Sequence, residues 1–92
     1  MNSVHLSTLC SGLFNEDDIK TSVLTYECFK VGSGAALFVH VATKILAGRT
    51  DEQKANLSDG ILMGLQGLGL EPCSLTVEII DIDKESYRKK MV

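Results

Sequence analysis

The sequence has no surplus of basic charge, no long apolar run and no cysteine pairing pattern, and each lack removes a class of function. Lys and Arg number 9 against 12 Asp and Glu, a formal charge of -3. Phosphate backbones demand a basic footprint, so nucleic acid is excluded as an expected partner. The longest apolar runs, residues 35–39 and 61–65, fall far short of the ~20 residues that a membrane-spanning helix needs. Residues 1–10 have neither a basic start nor a signal-type apolar block. Cys10, Cys28 and Cys73 are an odd number at wide spacings, without Cys-x-x-Cys, so neither a disulfide framework nor a zinc site is signalled. All three are expected to be small buried apolar residues of a soluble, unsecreted chain in a reducing cytoplasm. Phosphate-loop, nucleophile-elbow and metalloprotease motifs are missing too, and the glycines at 60, 64, 67 and 69 come too late to cradle a phosphate at a helix start.

What is present is one small domain, residues 1–92, in which 45% of residues are hydrophobic. Met1, Val4, Leu6 and Leu9 recur at helical spacing, with a stop at Ser11-Gly12. An acidic connector, Asn15 to Asp18, favours turns. Residues 19–31 are rich in Val, Thr, Tyr, Cys and Phe, and Gly32-Ser33-Gly34 separates them from the apolar run of residues 35–46. This pattern predicts an antiparallel hairpin whose second strand is central in its sheet. Thr50 and Gln53 form a capping box that opens a helix striped by Leu57, Ile61, Leu65 and Leu68. Gly60 and Gly64 lower its propensity, so it needs a surface to pack against; residues 69–72 end it. Leu75, Val77 and Ile79 alternate with Thr76, Glu78 and Ile80 in a last strand, residues 74–83, and a charged tail follows. The order is that of an unbalanced α+β unit.

Three side chains stand out. Arg49 lies between a strand and a capped helix, where free N–H groups and the helix dipole favour anions, and its planar fork suits a carboxylate. An exposed arginine at a strand end is the plainer alternative. His40 sits in an apolar strand, where a hydrogen-bonded core or interface histidine is the plain reading and an acid/base role the sharper one. Lys20 opens a strand beside Asp17 and Asp18, as a solvated lysine or as an anion ligand. The acidic pairs Asp17-Asp18 and Asp81/Asp83 read as ordinary surface.

The block Phe38-Val39-His40-Val41-Ala42-Thr43-Lys44-Ile45-Leu46-Ala47-Gly48-Arg49-Thr50 resembles the 5-carboxymethyl-2-hydroxymuconate delta-isomerases of the tautomerase superfamily. Gly12-Leu13-Phe14 and Val77-Glu78-Ile79 with the charged residues after it are similar to the same family. The resemblance runs from Ser11 to the end of the chain.

It implies a β-α-β architecture with a β-hairpin and one long helix, assembled as a homotrimer with sheets facing a central axis. It also implies 1,3-proton transfer on 2-hydroxymuconate-type unsaturated dicarboxylates from aromatic breakdown, without metal or cofactor. Arg49 matches the arginine that binds a substrate carboxylate. Lys20 stands where a second family arginine is expected, a point charge without the planar fork, and His40 lies within the matched strand. The family's general base is an N-terminal proline, preceded by nothing and followed by an opening strand and a whole first helix. This chain opens with Met1-Asn2-Ser3 in what reads as the second half of that helix, so the first strand and the catalytic residue are expected to be missing and activity impaired. Upstream in-frame DNA encoding a Met-Pro start would mark a misplaced start codon; immediate stop codons would mark a genuine truncation. The alternative reading is a non-catalytic oligomeric binding domain of the same fold. The apolar content is also large for so short a chain, which predicts a homo-oligomer.

Overall fold

A computed structural model describes all 92 residues. Helix α1 covers Asn2–Cys10 and a single 3-10 turn covers Glu16–Asp18. Strand β1 covers Leu37–Leu46, helix α2 Asp51–Gln66 and strand β2 Cys73–Ile82. The chain is a small α+β fold with two helices and a two-stranded parallel sheet. No helix is long and apolar enough to cross a membrane.

Helix α2 begins where the sequence dictates. The Thr50 hydroxyl accepts from the Gln53 N–H at 3.1 Å, and the Thr50 N–H donates to the Gln53 side chain at 2.9 Å. Asp51 and Glu52 in the first turn complement the dipole. The helix closes at Gln66, earlier than the stripe to Leu68 implies, because the Leu68 and Gly69 N–H groups tighten onto the carbonyls three residues back, Leu65 and Gln66, and Gly69 takes a left-handed φ of 69°. Leu68 is left exposed.

Buried Leu57, Ile61 and Leu65 of α2 meet Ile45 of β1, and Val39, Val41, Leu75, Val77 and Ile79 pack around them. Side chains alternate along a strand, so these residues define the face that α2 covers. The other face carries Phe38, His40, Ala42, Lys44 and Leu46 beside Ser74, Thr76, Glu78, Ile80 and Ile82. The register pairs Leu37 with Cys73 through to Leu46 with Ile82. Helix α1 lies on α2 at Gly64, where an added Cβ would come within 2.6 Å of the Ser7 hydroxyl and 2.8 Å of that of Ser3. The glycine there is what allows the close approach.

Two expectations fail. Residues 19–31 form no strand, so the antiparallel hairpin is absent, and β1 is an edge strand rather than a central one. The physical reason is visible in the pattern: Val23-Leu24 and Cys28-Phe29 break the alternation, so neither side of the segment is uniformly apolar. The cysteines are not buried either. Cys10 and Cys28 are exposed and Cys73 is half-buried, because Cys10 closes α1 and Cys28 lies in the extended segment.

The single chain is under-packed. Its surface of 7081 Å² exceeds the roughly 5,200 Å² of a folded monomer of this mass. Its radius of gyration, 14.6 Å, exceeds the roughly 12 Å of a packed chain of this length.

Candidate functional site

The parallel register sets the ends of β1 and β2 side by side, and ligand sites of open α/β units lie at that carboxyl edge. Ala47 binds across it, its N–H donating to the Ile82 carbonyl at 3.0 Å. The chain then turns through Gly48, whose φ of 122° disfavours any side chain, and delivers Arg49 to the residue before the Thr50 cap. Arg49 is exposed but not free to wander. Its Nη2 donates to the Leu13 carbonyl at 2.8 Å, and its guanidinium carbon lies 5.5 Å from the Phe14 ring centroid. One planar group thus joins the α1 connector to the start of α2, with further N–H donors left over for an anion.

Lys84 belongs to no motif in the sequence. A Cβ on Gly48 would stand 3.0 Å from its Nζ, so a second cation lies against the same turn. The parallel pairing of Leu46 with Ile82 is the signal that could have found it, since the residues leaving both strands must then share one edge.

His40 is exposed on the open sheet face. Its Nδ1 lies 2.6 Å from the Thr76 hydroxyl and its Nε2 3.3 Å from the Glu78 carboxylate. The Glu78 carboxylate can only accept, so the Nε2 N–H donates to it, while the Thr76 hydroxyl can donate to Nδ1 or accept from it. It is therefore a hydrogen-bonded histidine tying β1 to β2, on the surface of this chain rather than in its core. Lys20 is exposed and makes no hydrogen bond or ion pair. Its charge adds a small contribution to lowering the Asp18 carboxyl. The structure does not join the three residues into one network.

Other charged groups are structural. Lys89 reaches Asp18 at 2.6 Å, and that hydrogen bond and charge pull the Asp18 carboxyl below its ordinary range while raising the Lys89 ammonium. Lys54 bonds Asp81 at 3.2 Å, which raises its ammonium in the same way. An open groove of about 340 Å³ runs between the helices past Leu6, Cys10, Asn56 and Gly60, and touches none of Arg49, His40 or Lys20. No protein-family model matches the sequence, and a search of characterised proteins returns no match.

Proposed function

We propose that the chain is a subunit of the tautomerase type that binds 2-hydroxymuconate-like unsaturated dicarboxylates at the carboxyl edge of its sheet. The observation that carries this is Arg49, delivered by a glycine turn to a capped helix start and held there by Leu13 and Phe14. A substrate carboxylate would take the guanidinium donors that Leu13 leaves over, and Lys84 beside Gly48 would add charge at the same turn. In the reaction a proton leaves the enol oxygen and another is delivered to the enol β-carbon, two atoms away. A cation at the carboxylate stabilises the delocalised anion between those two events. Lys20 and His40 belong to the proposed substrate-binding set on the resemblance alone.

The base that this chemistry uses in the resembling family is an N-terminal proline. The one proline of these 92 residues, Pro72, precedes β2 and is an amide without a proton-accepting amine. Assembly as a homotrimer in the cytoplasm belongs to the same reading.

The test is a titration with cis,cis-muconate followed by amide NMR. Shifts centred on residues 47–53, lost in Arg49→Gln and weakened in Arg49→Lys, are expected; no shift at millimolar ligand would overturn the reading. The grip of Leu13 and Phe14 on Arg49 also favours a second reading, a non-catalytic oligomeric domain in which the arginine only fastens α1 to α2. Under that reading Arg49→Gln lowers stability and leaves the muconate titration blank from the outset.

A further inference from the structure

Residues 83–89 leave β2 beside the Arg49 turn and reach the α1 connector. Asp83 opens them with a turn, its carboxylate accepting from the Glu85 N–H at 3.1 Å and its carbonyl from the Ser86 N–H and hydroxyl at 3.3 Å. Lys84 then lies against Gly48, and further along Lys89 closes on Asp18 at 2.6 Å. Arg49 spans the same interval, from the Gly48 turn to Leu13 and Phe14. Two crossings therefore join the same two pieces of chain, the arginine side chain and a strap of residues 84–89.

Basic charge collects on this segment. In a chain of formal charge -3 with 9 basic residues, Lys84, Arg88, Lys89 and Lys90 all follow β2. Lys89 is matched by Asp18, and Arg88 folds back to donate to the Glu85 and Tyr87 carbonyls at 2.9 Å each. Lys84 has neither an ion pair nor a hydrogen bond, although a Cβ on Gly48 would stand 3.0 Å from its Nζ. Such an ammonium keeps all of its donors for an incoming anion. It lies at the root of the Arg49 side chain, whereas the guanidinium at the tip lies against Phe14, so the two cations suit two carboxylates of one ligand. We propose that residues 84–89 set a preference of this site for dianions: Lys84 takes the second carboxylate of a ligand whose first is held by Arg49, and the Lys89–Asp18 pair latches Lys84 in place. A segment ordered before binding costs less affinity than one ordered by the ligand.

The inference deepens the carboxylate reading above and rests on it. The test titrates the chain with cis,cis-muconate and with its monomethyl ester, the same skeleton with one charge fewer, and follows the amides of residues 47–53. Lys84→Gln should weaken muconate about fivefold while leaving the ester within about twofold, and Lys84→Arg should keep the muconate affinity. Asp18→Asn and Lys89→Gln should each weaken muconate about twofold, with the double variant no weaker than either, and amide relaxation should report residues 84–89 mobile in all three. Equal loss for muconate and ester in Lys84→Gln would make Lys84 a general attractor of anions and overturn the dianion preference; no loss for either would remove it from the site. Residues 84–89 still ordered in Asp18→Asn, or mobile with muconate affinity unchanged, would overturn the latch. A blank muconate titration of the unaltered chain would overturn the carboxylate reading and the strap's role with it, an outcome distinct from binding that is indifferent to Lys84.

Discussion

The unit from β1 through α2 to β2 and the ladder-free residues 19–36 are built from similar side chains and end in opposite conditions. Both contain Val, Thr, Leu and Phe. In the first, alternation gives β1 one apolar face, α2 covers it with Leu57, Ile61 and Leu65, and β2 satisfies one edge. In the second the apolar residues fall on both sides, and only Tyr26 and Phe29 find a partner in the sheet, the Phe38 ring of β1. Strand propensity is a measure of fit to a half-covered pleated surface, and it specifies nothing until such a surface exists.

The sharpest way to break the contrast is to remove a buried side chain from one region and an exposed one from the other. Ile61, 0% exposed, is expected to lose about 2–5 kcal/mol on Ile61→Ala in urea unfolding of the monomeric chain. Leu24→Ala, measured alongside at the same low concentration, should stay within about 0.5 kcal/mol; a larger loss would show that residues 19–31 already pack in the monomer.

The glycines of α2 sharpen the same point within the packed unit. Gly64→Val forces a branched side chain against Ser3 and Ser7, and should cost about 1–3 kcal/mol by lifting α1. Gly60 has open space where a Cβ would go, so Gly60→Ala should gain about 0.5–1 kcal/mol in helix propensity. Equal effects at the two positions would remove α1 from α2.

The smallest effect concerns the tether between the charged tail and the connector. Asp18 is held low by Lys89, so its contribution is present above about pH 3.9 and lost as pH falls through the lower folded value. Lys89 is held high by Asp18, so its contribution is present below about pH 10.4 and lost as pH rises through the higher folded value. Tail ordering read by amide relaxation should be flat across neutral pH and fall at both extremes. Asp18→Asn should leave the tail mobile throughout. Both groups face water, which makes the global stability change minor.

Local signals were legible and pairing was not. The capping box at Thr50 and Gln53, the stripe of Leu57, Ile61 and Leu65, and the alternation of Leu75, Val77 and Ile79 each depend on residues a few positions apart, and each is in the structure. The direction of the sheet depends on β1 finding β2 across a helix, which no local spacing records. The tight turn at residues 32–34 invited a hairpin, but only one bond closes it, from the Gly34 N–H to the Val31 carbonyl at 3.0 Å. The position of Arg49 between strand and helix was readable; its partners Leu13 and Phe14, brought from the far side of the extended segment, were not.

The parallel register also sets an order of events in time. Every pair in the ladder joins residues 36 positions apart, as His40 and Thr76 are, with all of α2 lying in between. Neither strand can find the other early, because the entropy of closing so long a loop must be met before any ladder bond forms. The capped helix can form first from contacts within one or two turns, shortening the gap and offering β1 and β2 the same apolar stripe. Folding of this unit is therefore a search organised by α2, and substitutions at Thr50 or Leu57 should slow folding, whereas those on the open sheet face should mainly speed unfolding.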